Sequence, residues 1–250
     1  MTRGRFQGVQ QIASYHWRAY AAAAAGMAAA LCLPPPWRNL ALAMALPGAL
    51  WACVSLAVSY YIYDWSAIYG LDWIESNLLR RPEHWANIHA GLDETSIALA
   101  ELFPQSTGEI LDIYDPLEMT EPSIGRARHQ AGMQPAGAQP AASPAKWRAL
   151  PLRSQAIDTA FVIFAAHELR RPDARAQFFR ELRRILRGGG EVVLVEHLRD
   201  WRNFLAFGPG FFHFLPESAW RLAARAAGFE IRLCFPLNPF VRVFVLRRPA

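Results

Sequence analysis

The sequence predicts an α/β fold, with a doubly wound parallel sheet, a C-terminal antiparallel strand pair and, before both, an N-terminal helical hairpin. Two short, strongly apolar runs at residues 160–164 and 191–195 have the composition of strands buried on both faces. They alternate with segments of helical periodicity, which is the order of elements in a parallel sheet covered by helices. Two long stretches without a charged residue lie near the N-terminus and predict the hairpin.

The hairpin is predicted over residues 19–62, after a polar segment at residues 1–18. Residues 19–33 and 39–62 lack charged side chains, and three consecutive prolines separate them. At about 1.5 Å per residue, the second stretch is long enough to cross a hydrocarbon layer of about 30 Å. Aromatic residues stand near the ends of both stretches, as at membrane interfaces: Tyr15, Trp17, Trp37, Tyr60 and Tyr61. We therefore predict a transmembrane hairpin, and a buried helical pair packed on a soluble domain is the alternative.

The distribution of charge predicts where the hairpin lies. Arg3, Arg5 and Arg18 precede it while only Arg38 lies in its turn, which places both termini in the cytoplasm by the positive-inside rule. The predicted location is the inner (cytoplasmic) membrane, with the C-terminal domain in the cytoplasm. The formal net charge of +5 suits an anionic membrane surface. The arginines are scattered rather than clustered with aromatic residues, which predicts no binding to nucleic acid.

The rest of the chain is predicted to be a connector and one domain. Residues 63–83 carry apolar side chains at helical spacing and are predicted to form an amphipathic connector helix. The domain follows over residues 84–250. A run rich in Gln, Ala, Gly and Pro at residues 129–145 interrupts it and is predicted to be a flexible insertion.

The C-terminal half of this domain has clear element boundaries. A helix is predicted over residues 173–187, ended by three glycines that supply a left-handed cap. A second helix is predicted over residues 216–228. Two alternating runs, residues 229–235 and 240–247, then predict the antiparallel pair.

Three segments of the domain carry a family resemblance. Residues 150–167 are similar to an "LP…fD" segment and its strand, and residues 178–197 are similar to an E-x-x-R-x-L-x-P-G-G helix, turn and strand. Residues 226–230 are similar to an "AGF" segment before a closing hairpin. In this order, the segments between residues 84 and 248 resemble the class I S-adenosylmethionine-dependent methyltransferases, of the small-molecule, methyltransferase type 11-like kind. The resemblance implies a Rossmann-like sheet and S-adenosyl-L-methionine as cofactor.

The resemblance assigns cofactor binding to the loop after the first strand. On the family pattern D/E-x-G-x-G-x-G fall Asn87, His89, Gly91 and Asp93, of which Gly91 alone keeps a glycine. Glycine allows the backbone to approach a ligand closely. The side chains of His89 and Asp93 therefore either crowd the methionine part of the cofactor or give it new polar partners.

The family places an acid after the second strand, where one carboxylate accepts hydrogen bonds from both ribose hydroxyls. Two residues compete for this role. Asp112 lies at the predicted strand end, while Asp115 precedes Pro116 and also suits a simple turn.

Polar residues follow several predicted strands, at the edge where a parallel sheet opens its ligand crevice. They are His89, Asp112, His167, Glu168, Glu196 and His197. Any one of them alone is compatible with a hydrogen-bonded structural role. Together they can supply a general base toward a hydroxyl group, and we predict His167 or His197 in that role, with Glu168 beside them. The same residue types suit manganese, iron or zinc, but no metal ligands are assigned.

An aromatic run lies at residues 200–215, too rich in large rings for an exposed loop. The resemblance implies a substrate-covering element after the fifth strand. The predicted substrate lid comprises Trp201, Phe207, Phe211 and Phe212. Beside a membrane hairpin it favours a lipophilic acceptor such as a quinone, a polyene or an aryl lipid. The alternative is an aromatic cluster packed on helices or on the bilayer, and His213 within the run is expected to be structural.

The sequence therefore predicts a membrane-anchored S-adenosylmethionine-dependent methyltransferase that acts on a hydrophobic small molecule, by O-methylation. A second hypothesis is a metal-dependent enzyme of quinone metabolism that uses S-adenosylmethionine as an amino donor, because the His167–Glu168 pair is loosely similar to such proteins. A third is a non-catalytic, methyltransferase-like membrane scaffold. A nicotinamide dehydrogenase is disfavoured because no G-x-G-x-x-G follows a strand.

Overall fold

The computed structural model describes residues 4–91, 93–132 and 141–250, and these residues form two compact units. The helical unit contains the chain up to Ser66 together with Asp200–Phe211. The sheet unit contains Ala67–Arg199 and Phe212–Ala250. Residues 200–211, which the sequence places in one domain with the sheet, thus cluster with the helical unit.

A seven-stranded sheet forms the framework of the sheet unit. Its strands are β1 His84–His89, β2 Thr107–Asp112, β3 Ser143–Pro144, β4 Ile157–Ile163, β5 Leu186–His197, β6 Glu230–Asn238 and β7 Val241–Arg247. Their order is β3-β2-β1-β4-β5-β7-β6. The first five strands pair in parallel, while β7 pairs antiparallel with both β5 and β6. This confirms the predicted α/β class and its C-terminal antiparallel pair.

The α-helices of the described residues alternate with these strands or precede them. They are α1 Gln7–Tyr15, α2 Trp17–Cys32, α3 Trp37–Tyr60, α4 Asp72–Glu75, α5 Ser96–Leu102, α6 Pro122–Gly132, α7 Pro172–Ile185, α8 Trp201–Phe207 and α9 Glu217–Ala226. Two short 3₁₀ turns, Ala166–Glu168 and Gly208–His213, follow β4 and α8.

The core of the sheet unit lies along β4 and β5. Every residue of β4 is buried, as expected of a central parallel strand. Helix α7 adds Phe178, Phe179 and Leu182 to this core. Its apolar face recurs every three to four residues, which is the spacing that predicted it.

Asp158 ties the beginning of β1 to β4 and β5. Its carboxylate accepts hydrogen bonds from the backbone N–H groups of Glu83 (3.0 Å) and His84 (2.9 Å) and from the Arg187 guanidinium (3.0 Å). Burial opposes ionisation of Asp158, but these donors outweigh it and lower its pKa. Gly190 lies alongside, where a Cβ atom would stand 2.8 Å from the Asp158 carbonyl oxygen. The chain can pass here only without a side chain.

The helical unit confirms the predicted helical hairpin as a pair of helices. Helices α2 and α3 are joined through a hydrogen bond between Tyr20 and Ser55 (3.0 Å) and through the stacked rings of Tyr20 and Trp51. Within the described residues, Trp37–Trp65 alone is long and apolar enough to cross a membrane, with 29 residues and a mean hydropathy of 2.0. Only 6% of its most apolar window is buried. Helix α2 has 16 residues, which at about 1.5 Å per residue falls short of a full span.

Helix α8 packs on α3 within the same unit. Gly208, at the end of α8, has a positive φ of 53° and lies against the Trp51 ring, from which a Cβ atom would be 3.1 Å away. Glycine meets both demands, because it tolerates the left-handed region and allows the ring to approach.

Two predicted elements differ in the structure. The connector over residues 63–83 is not one helix: it consists of the end of a π-helical turn and of α4, because Leu71 adopts a left-handed φ of 59° that interrupts helical geometry. Helix α7 ends at Ile185 rather than at residue 187, and its cap residue Leu186 is extended. The left-handed glycine is Gly189 (φ 76°), which lies within β5 where its register with β4 shifts.

The predicted flexible insertion at residues 129–145 is only partly described. Its beginning continues α6 to Gly132, and its end forms the short edge strand β3. Residues 133–140 lie outside the described residues.

Candidate active site

The candidate site lies at the carboxyl ends of the parallel strands. The strand order reverses between β1 and β4, and ligands of such sheets bind in the crevice at this reversal. His89 and Asp112 are register partners at the ends of β1 and β2. His167 and Glu168 follow β4, and Glu196 lies at the end of β5.

The first loop is held by a buried network around Asn87. The Asn87 amide donates hydrogen bonds to the hydroxyls of Thr95 (2.9 Å) and Ser96 (2.7 Å) and lies 3.4 Å from Asp93 Oδ1. Asp93 Oδ1 in turn accepts the backbone N–H groups of Thr95 (3.1 Å) and Ser96 (3.0 Å), which begin α5. The loop thus keeps one acid, but at position 93, where it caps a helix N-terminus.

This network explains the amide at position 87. A carboxylate there would face the Asp93 carboxylate in a buried space, and like charges at that distance repel strongly. An amide instead donates to Asp93 and to both hydroxyls. Asn87 and Asp93 therefore position the loop, and their predicted contact with the cofactor stays a prediction.

Gly91 is retained for close packing against α6. A Cβ atom at this position would stand 3.0 Å from Ile124 Cδ1 and 3.3 Å from Ala127 Cβ. The loop therefore lies directly on α6, and any larger residue would push the helix away.

His89 has both of its side-chain polar atoms left for a ligand, and in the same loop Asn87 Oδ1 is also without a hydrogen-bond partner among the described residues. Its side chain is buried, with 9% exposed, and neither ring nitrogen has a hydrogen-bond partner among the described residues. A buried polar group without a partner costs about 1–3 kcal/mol. A polar cofactor atom beside the ring would remove that cost, so the site fits a cofactor that carries an amino or a carboxylate group.

Asp112 is the better placed of the two candidate ribose acids. One of its oxygens accepts the Tyr114 backbone N–H (3.1 Å), and the other accepts the Arg128 guanidinium (2.8 Å). Arg128 also lies over the Tyr114 ring, 4.1 Å from its centroid. Asp115 instead accepts the Leu117 N–H (3.0 Å) and the Trp147 indole N–H (3.2 Å), as a turn residue does.

A buried cluster of imidazoles and carboxylates follows β4 and β5. His167 Nδ1 lies 2.7 Å from Glu196 Oε2, and the backbone N–H of His167 donates to Glu196 Oε1 (3.2 Å). The other ring nitrogen, Nε2, faces Glu168 Oε1 at 3.5 Å. Glu168 Oε2 is buried and has no hydrogen-bond partner in the described chain. The predicted pair His167–Glu168 is therefore brought together, with Glu196 behind it.

His213 completes the cluster, although the sequence predicts a structural role for it. Its Nε2 lies 3.7 Å from Glu168 Oε1, and its ring meets that of His167 edge to face at 4.8 Å. Arg170 donates to the backbone carbonyl oxygens of Phe212 and His213 and thereby holds this turn. Neither spacing nor periodicity marks His213, because it reaches the site only through the path of the chain after α8.

The titratable residues of the cluster differ in charge at neutral pH. Burial opposes protonation of His167, but the carboxylates of Glu196 and Glu168 outweigh it and raise the pKa of His167 to about 10. Burial and the nearby positive charge of His167 lower the pKa of His213 to about 3. Burial also disfavours the charged form of Glu168, yet its cationic neighbours lower its pKa. At neutral pH, His167 is thus a cation, His213 is neutral and Glu168 is an anion.

His197 is fixed by packing. Its ring stacks between Phe164 (4.9 Å between centroids) and Phe214 (4.7 Å), and its Nδ1 lies 3.0 Å from the Phe240 carbonyl oxygen. Phe164 has a positive φ of 51°, a region that is strained for a residue with a Cβ atom. The predicted role of His197 as a base stays a prediction, but its immobile ring suits a wall of the site better.

The predicted substrate lid is divided between the two units. Trp201, Phe207 and Phe211 belong to the helical unit, where Phe207 is buried and Trp201 is 65% exposed. Phe212 belongs to the sheet unit and is 60% exposed. Helix α8 packs on α3, and both the role as a lid and the alternative of a packed aromatic cluster stay predictions.

The family description "Methyltransferase domain" matches residues 107–194, which run from β2 into β5. No curated protein is matched by the chain. Human N-acetylserotonin methyltransferase in complex with SAM has a similar structure, with 12% identity, a TM-score of 0.55, and coverage of 98% of this chain and 70% of that one. The mitomycin 7-O-methyltransferase MmcR gives 13% identity, a TM-score of 0.55, and coverage of 98% and 73%. A SAM-dependent methyltransferase from Aquifex aeolicus has 14% sequence identity and a TM-score of 0.54, with coverage of 71% of this chain and 88% of that one.

At these identities, the similar structures show the fold, and the family match assigns residues 107–194 to a methyltransferase domain. The matched segment contains Asp112, His167 and Glu168, while the loop from Asn87 to Asp93 lies before it. Residues 107–194 therefore carry a methyltransferase domain of the class I S-adenosylmethionine-dependent kind, and S-adenosyl-L-methionine is the cofactor of that domain.

Proposed function

We propose that this protein is a membrane-anchored enzyme that methylates a hydroxyl group of a hydrophobic small molecule. The observation that carries the proposal is the buried carboxylate of Glu168, held between two imidazoles at the crevice of a methyltransferase fold. When it is bound, S-adenosylmethionine supplies a methyl group on a positively charged sulfur. The residues of the chain must then position a hydroxyl group and take up its proton.

Glu168 is the group best suited to accept that proton. Its Oε2 atom has no hydrogen-bond partner among the described residues, so it can accept one from the acceptor hydroxyl. His167, being protonated at neutral pH, orients Glu168 and cannot itself act as a base. General-base assistance of this kind contributes about 10²–10⁴-fold to a rate. The proposal therefore assigns the role of base to Glu168 and a positioning role to His167.

Asp112 and His89 are the residues we assign to cofactor binding. Asp112 can accept both ribose hydroxyls, but in the structure Arg128 already occupies one of its oxygens. Arg128 therefore competes with the ribose for the same carboxylate. The two unpartnered ring nitrogens of His89 lie in the loop that the family uses for the methionine part.

The apolar surface of the helical unit supports a membrane anchor and a lipophilic acceptor. Many large hydrophobic side chains of α3 and α8 are exposed, which is uncommon for a soluble monomer. They include Met44 (76%), Leu50 (56%), Trp201 (65%) and Leu205 (55%). Placed against lipid, these side chains would leave water. We propose the inner (cytoplasmic) membrane as the location, with the sheet unit in the cytoplasm.

The activity is tested with detergent-purified protein and S-adenosylmethionine that carries ¹³C in its methyl group and ¹⁵N in its amino group. Hydrophobic phenols and reduced quinones serve as acceptors, and mass spectrometry follows the label. We expect ¹³C in the product, a strong loss of rate in Glu168→Gln, and no loss in Glu101→Gln, an exposed glutamate of α5. Cofactor binding without transfer of ¹³C to any hydroxyl acceptor would contradict the proposal.

The same experiment distinguishes the second hypothesis. The pairing of His167 and Glu168 with His213 is an arrangement that can hold a metal, which favours a metal-dependent use of the cofactor as an amino donor. That reaction would carry ¹⁵N rather than ¹³C into the product. Failure to bind S-adenosylmethionine at all would leave the non-catalytic scaffold.

Membrane attachment is tested by flotation with liposomes that contain anionic lipid. We expect the protein to float, and Leu50→Arg to weaken this, because an arginine at the centre of a membrane helix costs about 2.5–3.5 kcal/mol. Leu117→Arg is the matched control, since Leu117 is 88% exposed on the sheet unit. A protein that stays with the soluble fraction as a defined oligomer would contradict the anchor and favour an interface between copies.

A further inference from the structure

We infer that His167, Glu168 and His213 bind a divalent transition-metal ion at the carboxyl end of β4. Each of the three residues offers one ligand atom, and these atoms all lie within 4.8 Å of one another. Binding of the ion would displace the Nε2 proton that His167 carries in the metal-free protein, as metal binding to histidine does. Two imidazole nitrogens and one carboxylate oxygen then form a ligand set that proteins use for manganese, iron and zinc. The site itself does not depend on the proposed function.

The separations within this cluster are close to those of a coordination sphere. Glu168 Oε1 lies 3.5 Å from His167 Nε2 and 3.7 Å from His213 Nε2. Ligands at about 2.1 Å from a metal are about 3.0 Å apart at neighbouring octahedral positions and about 3.4 Å apart in a tetrahedron. A small inward movement of two rings is therefore enough to bring all three ligands to bonding distance.

A second carboxylate lies on the far side of each imidazole, within hydrogen-bond distance for His167 and farther away for His213. His167 Nδ1 faces Glu196 at 2.7 Å, and His213 Nδ1 faces Glu121 at 3.8 Å. A carboxylate behind a metal-bound histidine fixes the ring and makes the opposite nitrogen a better ligand. The Nε2 atoms of both histidines face the same oxygen, Glu168 Oε1. A simple ion pair with Glu168 would need only one histidine.

The charge and the surroundings of the cluster also suit a cation. Glu168, Glu196 and Glu121 bring three carboxyl groups to two imidazoles, while Arg170 is directed to the carbonyl oxygens of the turn and lies 3.8 Å from Glu121. Glu168 is almost completely buried, so an ion here would be shielded from water. Three protein ligands leave at least one coordination position for a small molecule.

On the proposed function, the open coordination position of the metal would bind the hydroxyl group of the acceptor, and this step rests on that proposal. A hydroxyl group bound to the metal loses its proton more readily, because the ion stabilises the oxyanion. The proton would pass to Glu168 Oε2, the oxygen that does not face the two imidazoles, and the acceptor oxygen would form a bond to the methyl carbon. The bond between carbon and sulfur breaks with its electron pair on sulfur, so that S-adenosylhomocysteine is released.

The test measures metal binding directly, on full-length protein that has been purified in detergent and treated with a chelator. Mn²⁺ is the probe, because the electron paramagnetic resonance signal of the free ion falls when it binds. We expect one equivalent per chain, with affinity reduced more than tenfold in His213→Gln and in Glu168→Gln. Glu196→Gln, which removes an orienting carboxylate, is expected to weaken binding about 10–100-fold.

Two exposed residues provide matched controls, His129→Gln and Glu101→Gln. Both should bind Mn²⁺ as the wild type does. Co²⁺ gives a second readout, because its visible absorption reports nitrogen ligands and should change in His213→Gln. Thermal unfolding of each metal-free variant shows that loss of binding does not reflect loss of the fold.

The inference is overturned if no saturable binding occurs, or if the two ligand variants bind like the wild type. Its failure can be separated from failure of the proposed function. Methyl transfer at an undiminished rate in chelator-treated protein would retain the methyltransferase and remove the metal. Mn²⁺ binding that needs His213 and Glu168, without any methyl transfer, would retain the metal site and remove the proposed reaction.

Discussion

We expect the substitution Asn87→Asp, which introduces the acid that the family usually has at this position, to destabilise the protein. In the structure, the Asn87 amide nitrogen lies 3.4 Å from Asp93 Oδ1, and both residues are buried. In Asn87→Asp, the hydroxyls of Thr95 and Ser96 can rotate to donate, so those hydrogen bonds are kept. The new element is a second carboxylate beside the first.

The magnitude follows from this distance. Two unit charges about 3.4 Å apart repel by about 5 kcal/mol at an effective dielectric constant of about 20. The protein can avoid part of this by protonating one carboxyl group, which at pH 7 costs about 4 kcal/mol for an ordinary aspartate. We therefore expect Asn87→Asp to lose about 3–4 kcal/mol, a fall in melting temperature of roughly 10 °C for a chain of this size.

The pH dependence has a definite sign. The introduced acid has a raised pKa in the folded protein, so the variant is destabilised only where the unfolded chain is ionised. The loss should be small near pH 4 and should grow as the pH rises to 7. Thermal unfolding in detergent at several pH values measures it.

Two further variants isolate the cause. Asn87→Ala removes the amide without adding charge and should show no such pH dependence. The exchanged variant Asn87→Asp with Asp93→Asn has one carboxylate again and should regain most of the stability. If Asn87→Asp is no less stable than the wild type, or if the double exchange restores no stability, repulsion from the Asp93 carboxylate is not the reason for the amide at position 87.

Three other variants test the fold, the cofactor site and the buried cluster. Gly190→Ala should destabilise by about 1–3 kcal/mol because its Cβ would stand 2.8 Å from a backbone oxygen, whereas Gly125→Ala, with nothing within 4 Å, should be neutral or stabilising in chemical denaturation. Asp112→Asn should weaken binding of S-adenosylmethionine at least tenfold in calorimetry, since hydrogen bonds to a charged group contribute about 1.5–3 kcal/mol; equal affinity would remove Asp112 from the site. In metal-free protein, the charged form of His167 stabilises the fold below its unfolded pKa, and this is lost as the pH rises through about 10. Glu196→Gln should therefore destabilise more at pH 7 than at about pH 11, and the same loss at both would contradict the charged pair.

Local patterns in the sequence predict the sheet but not the details of the site. Strands β4 and β5 each contain a run of consecutive apolar residues, at 160–163 and 192–195, so composition alone identifies them. The apolar spacing of the connector predicts a helix, yet the backbone at Leu71 is left-handed, which spacing does not reveal. The pairing of Asn87 with Asp93 depends on the geometry of one turn and has no signature in composition.

The candidate base cluster shows the same limit over a longer range. His167 and Glu168 are predicted because they follow a strand whose carboxyl end faces the crevice. His213 lies 45 positions after Glu168 and meets it only through tertiary structure. A residue brought to the site by tertiary structure has no local sequence signal, so the sequence alone predicts a structural role for His213.

The altered glycine loop is therefore weak evidence for a lost function. Two of the three replacements have a physical role in the fold, because Asn87 and Asp93 share one hydrogen-bonded network. The retained Gly91 lies where α6 allows no side chain. His89 is different, because two buried ring nitrogens without partners cost stability and serve nothing in the fold. A pocket without a ligand would gain stability from an apolar residue at that position. If His89→Leu raises the melting temperature of the free protein but abolishes the further rise that S-adenosylmethionine gives to the wild type, the imidazole is kept for the cofactor. If the variant keeps the full rise, His89 does not contact the cofactor.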